Sequence, residues 1–168
     1  MESKLLRAWR ESDAADLVHA INNKKVIDNL RDGIPYPYTL KDAETFILSR
    51  LSADKTAMFA WAITEEDRVV GSIGIFRNSN IHRLTAEMGY YLGEDYWGRG
   101  IATKAVREAV GYVFEHTDIL RIYAEPFANN IASCRVLEKA GFAFEGILRK
   151  NAIKNGEILD MRLYSIVR

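Results

Sequence analysis

A single α/β domain, mostly antiparallel, with about seven strands and about four helices, is the fold this chain predicts, and three observations predict it. Its 168 residues are 48% hydrophobic and 27% charged, which suits one globular core and is too short for two ordinary ones. The apolar period switches repeatedly between the helical and the strand spacing. Finally, Tyr90 to Ala105 reads as an apolar strand running through a Gly-rich turn into a helix.

Composition also excludes function classes. Lys plus Arg and Asp plus Glu number 23 each, so no global charge recruits nucleic acid or an anionic membrane, and neither is expected as a partner. The one cysteine, Cys134, has no internal disulfide partner, and the N-terminal Met-Glu-Ser-Lys-Leu-Leu-Arg-Ala-Trp lacks the apolar run of a secretion signal. A cytoplasmic location is therefore expected. No stretch approaches the roughly 20 apolar residues of a membrane span. His19, His82 and His116 are scattered without metal-ligand spacing, so no metal site is expected.

Element by element, Leu5 to Trp9 reads as a first strand, and Ser12 with Asp13 precedes an apolar-periodic helix over Ala14 to Ile21. Two prolines make Gly33 to Tyr38 a loop, after which Thr39 caps a helix carrying Ala43, Phe46, Ile47 and Leu51 on one face. Met58 to Thr64 and Val69 to Phe76 alternate as a hairpin around a polar turn at Glu65 to Arg68. Leu84 to Leu92 continues the meander, with Leu84, Ala86, Met88, Tyr90 and Leu92 on one parity and Glu87 on the other, mixed face. The helix after Gly100 carries a wide apolar stripe from Ile101 to Phe114. Ile119 to Glu125 reads as a strand, Asn130 to Ala140 as a helix ended by Gly141, and Phe142 to Lys150 and Ile158 to Ile166 as strands joined through the Asn155-Gly156 turn.

The turn Gly98-Arg99-Gly100 has a chemical reading. Glycines let a ligand approach the backbone, and the first N–H groups of the next helix lack intrahelical acceptors, so an anion such as a pyrophosphate is favoured there. A Gly pair before a helix also serves as a plain turn, and spacing alone does not choose between the two.

Two motifs, with the order of elements, resemble the GNAT superfamily of acyl-CoA-dependent N-acetyltransferases, in particular its RimJ/RimL-like branch of ribosomal-protein N-terminal acetyltransferases. Tyr96-Trp97-Gly98-Arg99-Gly100-Ile101-Ala102-Thr103 is similar to the family's Arg/Gln-x-x-Gly-x-Gly/Ala loop, with Trp97 in the Arg/Gln slot. Asn130 to Phe142 resembles the branch's Asn-x-x-Ser helix ending in Gly-Phe. The resemblance covers nearly the whole chain. It implies a mixed sheet with a splayed parallel pair, Leu84 to Leu92 beside Ile119 to Glu125, and acetyl-CoA as co-substrate in the splay. Pantetheine would bond the backbone of Tyr90, Tyr91 and Leu92, and the pyrophosphate the amides of Gly98, Arg99, Gly100, Ile101, Ala102 and Thr103. The Arg99 side chain could add charge there. Asn130 would contact pantetheine while also serving as a helix N-cap.

Acetyl transfer needs a neutral amine, a donor for charge on the thioester oxygen and a proton for the thiolate. Glu87 is the candidate base, against a reading as a paired carboxylate, and a backbone N–H near Met88 to Tyr90 the candidate oxyanion donor. Many GNAT enzymes carry a tyrosine where this chain has Leu137, and the branch resemblance points instead to Ser133 as the group beside the thiolate. Asp32, Tyr36 and Tyr38, with Pro35, Glu157 and Asp160, are the expected walls of the acceptor site. The acceptor is expected to be a primary amine, on a protein N-terminus or a small molecule, and the protein a monomer or homodimer. A catalytically silent acyl-CoA-binding module is the alternative.

Overall fold

Two apolar faces must be covered when strands of this composition pair, because residues of both parities are hydrophobic in Ala60 to Thr64 and Val69 to Ile75. A computed structural model, which describes residues 3–168, shows how. Met1 and Glu2 of the N-terminal segment lie outside the described residues. Strands β1 (Leu6–Arg7), β2 (Met58–Glu65), β3 (Arg68–Arg77), β4 (Thr85–Leu92), β5 (Arg121–Ala124), β6 (Ala143–Lys154) and β7 (Glu157–Val167) form one seven-stranded sheet in the order β1-β2-β3-β4-β5-β7-β6. Every pair is antiparallel except β4 with β5.

Five helices cover it: α1 (Ala14–Ile21), α2 (Lys24–Ile27), α3 (Leu40–Leu51), α4 (Ile101–His116) and α5 (Ile131–Ala140). On one face α4 and α5 bury Val106, Val113 and Leu137 against Ile63, Ile73, Ile75, Ala86 and Met88. On the other, α1 to α3 bury Leu17, Ile21, Val26 and Ile47 with Trp9, Ala62 and Val69.

Local chemistry accounts for most boundaries. Thr39 caps α3 by accepting from the Asp42 N–H at 3.3 Å while the Asp42 carboxylate accepts from the Thr39 N–H at 2.8 Å, a reciprocal pair worth about 1 kcal/mol. Gly141 ends α5 at φ 103°. Three expectations are corrected. The first strand shrinks to Leu6–Arg7, since Trp9 turns into the second core. Asp13 does not cap α1: its carboxylate is buried and accepts two bonds from the Arg7 guanidinium at 2.8 and 2.9 Å, and another from the Arg10 N–H at 2.8 Å. The polar stretch after α1 contains the short α2, capped by Asn23, because Val26 and Ile27 have a core to enter.

Candidate active site

The site begins where β4 and β5 part. Their register holds for Thr85↔Arg121, Ala86↔Ile122 and Glu87↔Tyr123, after which β4 continues alone to Leu92. Bonds from the Asn78 N–H to the Thr85 carbonyl and from the Gly93 N–H to the Val70 carbonyl set the alternation along β4. The backbone groups of odd-numbered residues therefore face β3, and those of Tyr90 and Leu92, with the Met88 carbonyl, face the gap. This corrects Tyr91 as a backbone contact, since its N–H and C=O turn toward Ser72. The Met88 N–H closes the last parallel bridge, at Glu87↔Tyr123, and the Leu92 carbonyl accepts the Trp97 indole N–H at 2.9 Å, which leaves the Met88 carbonyl and both backbone groups of Tyr90 to the gap.

Below the gap stands α4. Gly98 and Gly100 have φ of 72° and 76°, a conformation that favours glycine, and a Cβ on either would meet nothing within 4 Å. The turn thus presents bare backbone and the free N–H groups of Ile101, Ala102 and Thr103 to the same space. Arg99 does not join them. Its guanidinium lies 2.5 Å from Glu65 on β2 and 5.6 Å from the Tyr96 ring, away from the cavity lining.

Across the gap, the Asn130 side chain accepts the Ser133 N–H at 3.1 Å and so caps α5. The Ser133 hydroxyl is 2.9 Å from the Tyr90 hydroxyl, which also lies 3.2 Å from the Ser133 carbonyl, so one side-chain pair bridges the splay. Burial pushes the Tyr90 phenol well above its ordinary value, so it remains neutral. Leu137 is fully buried between α4 and α5 and offers no proton to the cleft.

One cavity of about 970 Å³ is lined by Tyr90, Leu92, Gly98, Gly100 to Thr103, Asn130, Ser133, Glu87 and Asp32. A smaller one of about 280 Å³ adjoins it through Arg31, Asp32 and Glu125. Reading from sequence missed Glu125, Arg31, Arg135 and Lys139, all of which line the larger cavity. Strand alternation carried the signal for Glu125, which shares its parity with Tyr123, the register partner of Glu87. The helical i, i+4 spacing carried it for Arg135 and Lys139. Nothing local marks Arg31, whose guanidinium contacts Glu87 and lies 3.6 Å from Glu125. Burial, followed by the Glu87 charge, lifts the Glu125 carboxyl above the usual carboxylate range, with Arg31 opposing.

The expected acceptor walls fare unequally. Asp32 lines both cavities and accepts a hydrogen bond from Lys154 Nζ at 2.9 Å. Tyr38 is not a wall: it is 6% exposed in the second core, and burial pushes its phenol up to about 12. Tyr36 is 58% exposed and faces solvent outside the cavity lining. Pro35, Glu157 and Asp160 also lie off it. Among the described residues no group of three or more His, Cys, Asp and Glu is placed to hold a metal ion, and no helix is long and apolar enough to cross a membrane.

Unpaired strand groups beside bare glycines and a helix N-terminus fit a long ligand with amides at one end and phosphates at the other. That combination defines a class, the α/β domains with a ligand cleft between splayed parallel strands. The chain belongs to the GNAT acetyltransferase family: residues 5–143 match the acetyltransferase (GNAT) domain. Among curated proteins it is similar to the probable N-acetyltransferase YjcK of Bacillus subtilis, 39% identical over 70% of this chain and 65% of that protein. The chain spans 61 to 65% of the length of YjcK and two comparable Bacillus relatives. Two solved structures share the fold. Microcin C7 self-immunity acetyltransferase MccE, in complex with acetyl-CoA and AMP, has a TM-score of 0.84 at 24% identity over 97% of this chain and 91% of its own. RimL, the ribosomal L7/L12 α-N-protein acetyltransferase in complex with coenzyme A, has a TM-score of 0.84 at 21% identity over 96% and 92%.

Proposed function

We propose that the chain is an acetyl-CoA-dependent N-acetyltransferase in which a primary amine attacks directly in a ternary complex. One observation carries this reading: a single cavity joins the α4 N-terminus, the open edge of β4 and the Glu87–Arg31–Glu125 cluster. Gly98 to Thr103 hold the pyrophosphate, with Arg135 and Lys139 as nearby cations, and Met88 and Tyr90 hold pantetheine through their gap-facing backbone. Asn130 has its side-chain N–H donors to spare while it caps α5. Acetyl-CoA supplies an activated acyl carbon and a thiolate leaving group.

The residues of the chain divide the remaining work. An ammonium must lose its proton before it attacks, and Glu87 or Glu125 takes it, directly or through water. A carboxylate with its pKa raised by burial, as Glu125 has, is a better base than one in open water. As the new C–N bond forms and the C–S bond breaks, the gap-facing N–H of Tyr90 meets the charge on the acyl oxygen. The Ser133 hydroxyl, held by Tyr90, donates to the departing sulfur. This replaces the tyrosine that Leu137 displaces.

Amine acceptors include a protein N-terminus, as RimL's name describes for that protein, and small-molecule amines. Thiol release from acetyl-CoA, measured across amines and N-terminal peptides, tests the reading. Acceptor-dependent release is expected. Tight coenzyme A binding without it would leave the chain a silent acyl-CoA-binding module.

A further inference from the structure

Glu87, Gly89 and Tyr91 share one face of β4, and the sheet register extends this face into three rows. Met58, Phe76 and Glu87 form the first row, Ala60, Gly74 and Gly89 the second, and Ala62, Ser72 and Tyr91 the third. The middle row has no side chain beyond a methyl group. It forms a trough in the sheet that belongs to the cavity already described. At Gly89 a Cβ would meet nothing within 4 Å, so the trough is open there, whereas the Phe76 ring leans over Gly74.

Arg50 reaches into this trough from α3. Its guanidinium stacks 4.4 Å from the Phe46 ring centroid and 5.7 Å from that of Phe76, and Nη1 donates to Met58 Sδ at 3.1 Å. A guanidinium has five N–H donors, and thioether sulfur is a weak acceptor. Among the described residues Arg50 has no carboxylate partner, although it is half-buried and burial lowers its pKa from the ordinary value. Nearby, the buried Tyr91 hydroxyl has no hydrogen-bond partner, with Ser72 beside it outside bonding geometry. Burial pushes that phenol up, so it remains a neutral donor. A half-buried cation with only a weak thioether acceptor, beside a buried hydroxyl with no partner, is stabilised when an oxyanion meets both.

We infer that the acceptor is an amine that also carries an oxyanion, a carboxylate or a phosphate, which Arg50 and Tyr91 bind across the Gly74–Gly89 trough while the amine lies at Glu87 and Glu125. This rests on the acetyltransferase reading and names its acceptor class. Met58, which touches Arg50, lies two strands from Glu87, about 10 Å at the usual strand spacing. The oxyanion is therefore several bonds from the amine, as in a peptide with an acidic second residue. The carboxylate of a free α-amino acid is too close to its amine. A polyamine would place its second ammonium against Arg50, a like-charge contact.

The test compares kcat/KM for Ala-Ala-amide, Ala-Glu-amide, Ala-phosphoserine-amide, Ala-Lys-amide and spermidine at saturating acetyl-CoA. At least one oxyanion peptide is expected to exceed the neutral peptide by about tenfold, the size of one charge-assisted contact, and which one does so separates carboxylate from phosphate. Arg50→Gln is expected to bring that ratio near one. Tyr91→Phe is expected to reduce it a few-fold without lowering the melting temperature, because it removes a hydroxyl that has no partner. Equal use of the neutral peptide, the lysine peptide or spermidine overturns the inference, as does a uniform loss in Arg50→Gln. Calorimetry of the N-acetylated peptides on the coenzyme A-loaded protein reads the same preference without turnover. Selective binding of acidic peptides without thiol release from any amine would reject the acetyltransferase reading and leave the oxyanion site standing.

Discussion

The two ends of the cleft are built differently. At the α4 end, the cavity wall is made by backbone, from a run between Gly98 and Thr103 and from one edge of β4. At the other end it is made by side chains from separate segments: Arg31 after α2, Arg50 on α3, Glu87 and Tyr91 on β4, and Glu125 beyond β5. Backbone donors survive most side-chain changes, so the first end tolerates a departure such as Trp97 in the family's Arg/Gln slot. The second end is free to change its charge pattern one residue at a time, and this is how one fold serves many acceptors.

Substitutions that act on one end alone break or sharpen this contrast. The largest effect is expected from Glu87→Gln and Glu125→Gln, which lower turnover by about 10² or more where the altered group is the base, with little change in acetyl-CoA affinity. The Glu87 charge helps to raise the Glu125 pKa, so Glu87→Gln is also expected to move the acidic limb of the pH–rate profile to lower pH. An unchanged profile in both variants would remove the pair as base.

Next comes Gly100→Val, which places a β-branched residue at φ 76° and obstructs the turn. Coenzyme A affinity, read by calorimetry, is expected to fall by about tenfold or more, and retained affinity in a folded variant would refute the phosphate assignment. Gly89→Leu fills open space at an ordinary backbone conformation. It is expected to raise the acceptor KM by several-fold, on the order of 1 kcal/mol, and to spare coenzyme A binding. An equal loss of both would mean that the two ends are one site.

The smallest effect concerns stability alone. Glu145 accepts from Arg121 and from the Ser165 hydroxyl, and chiefly through Arg121 its carboxyl falls from 4.5 to about 2. A carboxyl lowered on folding contributes stability above its unfolded value and loses it as the pH falls through its folded value. Glu145→Gln is therefore expected to melt slightly below the parent at neutral pH, with the difference closing between pH 4.5 and about 2. Melting curves at stepped pH check this. A constant gap would show that the clip is not electrostatic.

The contrast between the ends also explains what could be read in advance. Seven strands, four of the five helices, the Gly98–Gly100 turn and the Asn130 cap follow from residues close in sequence, because period, φ preference and capping act within a few positions. The failures have tertiary causes. Asp13 resembles a cap until Arg7 reaches it, and Tyr38 resembles a loop aromatic until the second core takes it in. Parity placed Glu87 on the mixed face but did not reveal its neighbours.

The sequence by itself determined the class of the domain and the backbone end of its cleft, since these depend on short-range patterns that each segment carries alone. Only the tertiary structure decided that Arg31 joins Glu87 to Glu125 and that Arg50 overlooks a trough lacking side chains at Gly74 and Gly89. Those groups are dozens of residues apart in the chain. Strand register and the packing of α3 on the sheet bring them together, and neither is set within a single segment.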